Sequence, residues 1–170
     1  MPDIPQVGDL QVSQDLDFQE RSWRVQRIGW TIFSLILLAA FVGLLGGGPL
    51  SAASAGGENE PLEVQYARFA RHRSPTQIEV KLQPGAVSGD EARVWVDSQY
   101  LDGVELQNIV PEPDSAEAAP DRMIYVFKVN QGDQPTSITF NVMPERAGVR
   151  KVRVGLDGGA TLNFRQIVYP

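Results

Sequence analysis

The 170-residue chain contains no cysteine and one histidine, His72. The first absence excludes a disulfide framework, thiol nucleophiles, blue-copper sites and iron–sulfur clusters, so an exported domain must be held by packing alone. The second excludes a multi-histidine metal centre and leaves His72 as the only histidine base for nucleophilic catalysis. No G-x-S-x-G elbow, no G-x-x-x-x-G-K-[ST] phosphate loop and no G-x-G-x-x-G fingerprint occurs in the sequence. An excess of positive charge is missing too. The net charge is −6, and residues 1–27 carry five acids against three arginines, which argues against nucleic acid as a partner. The expectation is a non-enzymatic protein with no cofactor and no metal site.

One further absence organises the chain: no charged residue stands between Arg27 and Glu58. The run Ile28–Leu45, IGWTIFSLILLAAFVGLL, is eighteen residues long. As a helix it rises about 27 Å, close to the ~30 Å hydrocarbon core of a bilayer. The spacing of Phe18, Arg21, Val25 and Ile28 extends the helix N-terminally, with Asp15 or Asp17 as its cap. Arg21, Arg24 and Arg27 flank the run on one side, and Trp23 and Trp30 bracket its entry as interfacial anchors. Because the first charges beyond the run are acidic, the positive-inside rule puts residues 1–27 in the cytoplasm and the remainder outside. Ala53-Ser54-Ala55 matches a signal-peptidase pattern, so cleavage is the competing reading. The long acidic N-region and the length of the apolar run favour a permanent anchor. Ala39, Gly43 and Gly47, spaced by four, offer a small-residue face for a second helix, including one from a second copy.

Residues 47–61 read as a flexible Ser/Ala/Gly linker, and 62–170 as one β-domain. Short alternating runs divided by turn residues give about eight strands. Leu62-Val64-Tyr66, Ile78-Val80-Leu82, Ala92-Val94-Val96, Ile138-Phe140-Val142 and Val152-Val154-Leu156 alternate with polar residues. Val104–Ile109 is a weaker run, and Met123–Val129 is nearly continuous in apolar residues, as a doubly covered strand would be. Asp157-Gly158-Gly159 marks a hairpin. Residues 111–121, PEPDSAEAAPD, read as a solvated loop. The architecture expected is an immunoglobulin-like antiparallel β-sandwich, with a small barrel as the alternative.

The most conspicuous stretch of the exported region is Tyr66–Arg73, YARFARHR. Extended, it places Tyr66, Arg68, Ala70 and His72 on one face and Phe69, Arg71 and Arg73 on the other. Tyr66, Arg68, Phe69, Arg71 and Arg73 are the candidate partner-binding residues, because guanidinium forks match carboxylate and phosphate. The competing reading is a solvated edge strand blunted by its arginines. The scattered acids Asp97, Asp102 and Glu105 keep a carboxylate-dependent hydrolase or carbohydrate-active domain open as the enzymatic alternative.

FQERSWRVQRIGW at 18–30, GGGPLS at 46–51, VQYARFAR at 64–71 and QIVYP at 166–170 together resemble a group of uncharacterised bacterial single-pass membrane proteins. That resemblance implies a bacterial inner-membrane location and transfers no activity. The chain is therefore expected to be a membrane-anchored accessory protein whose β-domain contacts another membrane or envelope protein. The intact mass of the protein recovered from membranes is expected to retain residues 1–55. Their loss would replace the anchor with a secreted binding protein.

Overall fold

A computed structural model of the chain describes residues 16–42, 51–57, 60–87, 89–129 and 135–170. Residues 1–15, the turn expected at 130–133, and the small-residue positions Gly43 and Gly47 lie outside the described residues. The chain divides into two compact units, residues 1–41 and 42–170.

The described part of the first unit belongs to one continuous helix, α1 (Leu16–Val42). Its 27 residues contain no proline and are rich in Leu and Ile, so neither a missing N–H nor a ring clash interrupts the ladder. Arg21–Phe41 is long and apolar enough to cross a membrane. Ile28, Ile32, Phe33, Leu35, Ile36, Leu37 and Leu38 are all exposed. A helix apolar on every side has no stable place in water. Thr31 returns its hydroxyl to the Arg27 carbonyl at 2.9 Å, and the Arg27 guanidinium lies over the Trp23 ring at 4.6 Å. Trp30 meets Phe33 edge-on.

The second unit is an antiparallel β-sandwich of immunoglobulin-like type, built from two separate sheets and not from a closed barrel. In chain order its strands are β1 (Ala52–Ala55), β2 (Leu62–Ala67), β3 (Phe69–Arg71), β4 (Thr76–Leu82), β5 (Glu91–Asp97) and, after the short helix α2 (Ser98–Leu101), β6 (Val104–Val110). Then follow β7 (Ser115–Ala118), β8 (Arg122–Lys128), β9 (Thr136–Pro144), β10 (Gly148–Leu156) and β11 (Thr161–Tyr169). One sheet runs β1-β2-β4-β9-β6 and the other β3-β11-β10-β5-β8-β7. Each predicted alternation places its apolar members between the sheets. Leu62, Val64, Ile78, Val80, Ile138, Phe140 and Val142 face Val94, Val96, Tyr125, Phe127, Val152 and Val154 in one buried cluster. Removal of this apolar surface from water drives the assembly. Asp157-Gly158-Gly159 closes the β10–β11 hairpin, with Gly158 at φ 76°, where only glycine is unstrained.

Three expectations need correction. Ala52–Ala55, read as linker, pairs antiparallel with β2 as an edge strand, because its small side chains leave the backbone free to complete the sheet. Ser115–Ala118, read as solvated loop, forms β7 against β8. The acids of that segment hold it there: Asp114 pairs with Lys128 at 3.0 Å and Glu117 with Arg93 at 2.6 Å. The strip 66–73 is not one extended face. It breaks at Arg68, and the chain passes from one sheet to the other: β2 lies against β4, whereas β3 runs parallel to β11.

The crossing is fixed from both sides. Arg68 N–H donates to the Ser51 carbonyl at 2.6 Å, and Ile167 N–H donates to the Arg68 carbonyl at 2.7 Å. Gln166, 0% exposed, sends its amide N–H to the Ala67 carbonyl at 2.9 Å and accepts the Tyr100 hydroxyl at 3.2 Å. Replacing Gln166 with Leu strands two buried polar groups, each worth about 1–3 kcal/mol when left unsatisfied. Gln166→Leu is expected to destabilise the domain by about 2–4 kcal/mol and Tyr100→Phe by about 1 kcal/mol, read from urea unfolding of the full chain in detergent.

Candidate binding face

β11 lies between β3 and β10, and its alternation sends Phe164, Gln166 and Val168 into the core. Arg165, Ile167 and Tyr169 therefore point to the outer face of the six-stranded sheet. Residues directly opposite across a ladder share a face, and the register builds three adjacent rows there. Arg71 stands opposite Tyr169, Phe69 opposite Ile167 and Ile167 opposite Val149, and Arg165 opposite Lys151. The middle row is apolar across three strands, with Val149 64% and Ile167 43% exposed. The flanking rows are cationic. Among the described residues, Arg71, Lys151 and Arg165 belong to no ion pair.

Elsewhere on the same face, three arginines are paired with carboxylates. Arg93 bridges Glu117 and Asp157, and its guanidinium holds the Glu117 carboxyl below the usual range. Arg122 holds the Asp121 carboxyl down likewise and lies 4.4 Å over the Trp95 ring. Trp95 is buried on this outer face and not between the sheets. Its ring packs on Gly155, where an added Cβ would stand 2.8 Å from the indole, and its Nε1–H donates to the Leu156 carbonyl. Asp97, 3% exposed, is bonded to Arg153 and caps α2 by accepting Gln99 N–H at 2.7 Å. Beside that pair a groove of about 340 Å³ opens between Lys151, Arg153, Asn163 and Arg165. A larger hollow of about 620 Å³ lies beside β1 and β2. Among the described residues its titratable groups are Tyr66 and Glu79, and the Glu79 carboxylate accepts the Ser137 hydroxyl.

The five candidate residues of the strip separate. Tyr66 turns inward and stacks on Phe164 with ring centroids 4.0 Å apart. Arg68 is exposed at the break, and Arg73 stands in the turn after β3 at φ 55°. Phe69 and Arg71 alone reach the outer face, where they join Val149, Lys151, Arg165 and Ile167. Those four were missed. For Val149 and Ile167 the signal is an apolar residue in the polar phase of an alternating strand: Val149 out of phase with Val152 and Val154, and Ile167 out of phase with Phe164 and Val168; nothing local marks Lys151 and Arg165. His72 Nε2 donates to the Glu145 carbonyl at 2.9 Å. Among the described residues no group of three or more His, Asp or Glu side chains is placed to hold a metal. On α1, Arg21, Trp23, Arg24, Arg27 and Trp30 are exposed, and Ala39 is half-buried.

No protein-family model and no curated protein matches the chain. Among solved structures, the β-domain is similar to a cohesin module from a Clostridium perfringens family 33 glycoside hydrolase. The identity is 12% and the TM-score 0.43, over 64% of this chain and 96% of that one. It is also similar to the CARDB domain of a Pyrococcus furiosus protein solved with di-metal ions. There the identity is 13% and the TM-score 0.40, over 72% of this chain and 98% of that one. Neither likeness is close enough to carry a role across.

A face that serves binding and not folding tolerates replacement. Val149→Ser and Ile167→Thr are expected to shift stability by no more than about 0.5 kcal/mol. Leu62→Ala, in the core, is expected to cost about 2–5 kcal/mol. Chemical denaturation of the three variants separates these outcomes, and a core-sized loss at Val149 would make the row structural.

Proposed function

We propose that this chain is a membrane-anchored, non-catalytic accessory protein whose extracytoplasmic β-sandwich binds another component of the bacterial inner membrane or envelope. The observation that carries the reading is the row Phe69–Ile167–Val149 between Arg71 on one side and Arg165 with Lys151 on the other. Apolar side chains held in water beside uncompensated cations have no use in the stability of the domain, and they suit a partner that is both apolar and anionic.

The anchor is supported by the all-round exposure of apolar residues on α1 and by the three arginines that precede the run. A permanent anchor is also favoured by β1. Cutting after Ala55 would strip an edge strand from the sheet, so the cleavage pattern there belongs to the folded domain. Catalysis is disfavoured by how the candidate groups are occupied: His72 is spent on a backbone carbonyl, and the buried Asp97 is spent on Arg153 and α2. Through Ala39, α1 offers a helix-packing surface to a second copy.

The test is a photo-reactive residue placed in the full chain in bacterial membranes. At Ile167 it is expected to capture a discrete envelope component. At Thr139, outward on the opposite sheet, it is expected to capture none. Equal capture at both positions, or none at Ile167, would end the reading.

A further inference from the structure

We infer that the component taken by this face is the anionic surface of a lipid bilayer, an inference that rests on the binding face proposed above. Three features of the face point to lipid over a protein partner. The first is the order of its side chains. An apolar row with cations on both sides matches the interfacial region of a membrane, where acyl chains begin just beneath a layer of phosphates. Arg71, Arg165 and Lys151 have long stems that reach sideways to phosphate while Val149, Ile167 and Phe69 enter the headgroup layer.

The second feature is size. Three strands at about 4.8 Å spacing and about 3.3 Å rise per residue make a patch on the order of 200–300 Å². A stable protein–protein interface needs about 800 Å² from each side. The same area suffices for a weak contact with a lipid surface, because a bilayer presents headgroups continuously and needs no matched shape.

The third feature is the tether. Eight residues of sequence lie between Val42, the last described residue of α1, and Ser51, the next described residue. A link that short holds the domain at an effective concentration of roughly millimolar next to the membrane that holds the helix. Contacts too weak to recruit a free protein are then enough to dock a tethered one. The groove lined by Lys151, Arg153, Arg165 and Asp97 is where a headgroup phosphate would sit, because Arg153 offsets the Asp97 carboxylate and the other two cations have none of their own among the described residues.

The absence of cysteine makes the test direct. In the full chain reconstituted into vesicles, Val149→Cys carries an environment-sensitive fluorophore, and Thr139→Cys on the opposite sheet serves as the control. The expected result is a blue shift at Val149 in phosphatidylcholine mixed equally with phosphatidylglycerol. No shift is expected in phosphatidylcholine alone or at Thr139, and high salt reverses the effect. Replacing Arg71, Lys151 or Arg165 singly with Gln should lower the docked-to-free ratio about fivefold each. Unchanged circular dichroism distinguishes lost docking from lost folding. A shift that ignores lipid charge and salt would overturn recognition of the anionic surface. Water-like emission in both lipids, with a protein captured at Ile167, would overturn the lipid occupant and leave the binding face standing. Water-like emission with no capture would remove both.

Discussion

The β-domain depends on one buried side chain, the amide of Gln166. The chain runs through one sheet as β2 and crosses at Arg68 to the other, where it continues as β3. Such a crossing breaks the regular ladder, and the backbone groups it releases need partners in a place closed to water. Gln166 supplies one of them at Ala67 and is held in turn by Tyr100 from α2. Ser51 and Ile167 hold the Arg68 peptide itself. With the crossing fixed, β3 can lie parallel to β11, and only then do Phe69 and Arg71 come beside Ile167 and Tyr169.

The outer face of that sheet shows how charge is distributed when it is not needed for folding. Arg93, Arg122 and Arg153 each pair with a carboxylate, Arg122 lies over Trp95, and Trp95, Ile124 and Val126 are buried outside the main core. Arg71, Lys151 and Arg165 lie toward the other end of the sheet, away from the acids of β7 and the β10–β11 hairpin. The two halves of one face thus differ in kind: one is closed by its own ion pairs, and the other holds cations that pair with no described carboxylate. β10 and β11 serve both purposes. Their inward residues fill the sandwich and their outward residues make the row, so the row can vary without disturbing the core.

Much of the architecture was legible in the sequence, for physical reasons. The helix could be read because a long run without charge or proline leaves nothing to interrupt the i to i−4 ladder. The strands could be read because alternation with period two requires one face in and one face out, and Leu62, Ile78, Phe140 and Val154 obey it. β1 and β7 were not legible, because AASA and SAEA have no apolar face and are strands only by what they pair with. The split of the strip at Arg68 was also hidden, since nothing local in YARFARHR distinguishes a straight strand from one that changes sheets.

The sequence alone determined the apolar helix, its charged flank, the β class of the remainder and the phase of each strand. All of these follow from the order of residues along one segment. The tertiary structure alone decided which strands lie side by side, and so brought Phe69 and Arg71 together with residues about a hundred positions later. Pairing of distant strands is set by the closure of the whole core, and no local pattern encodes it.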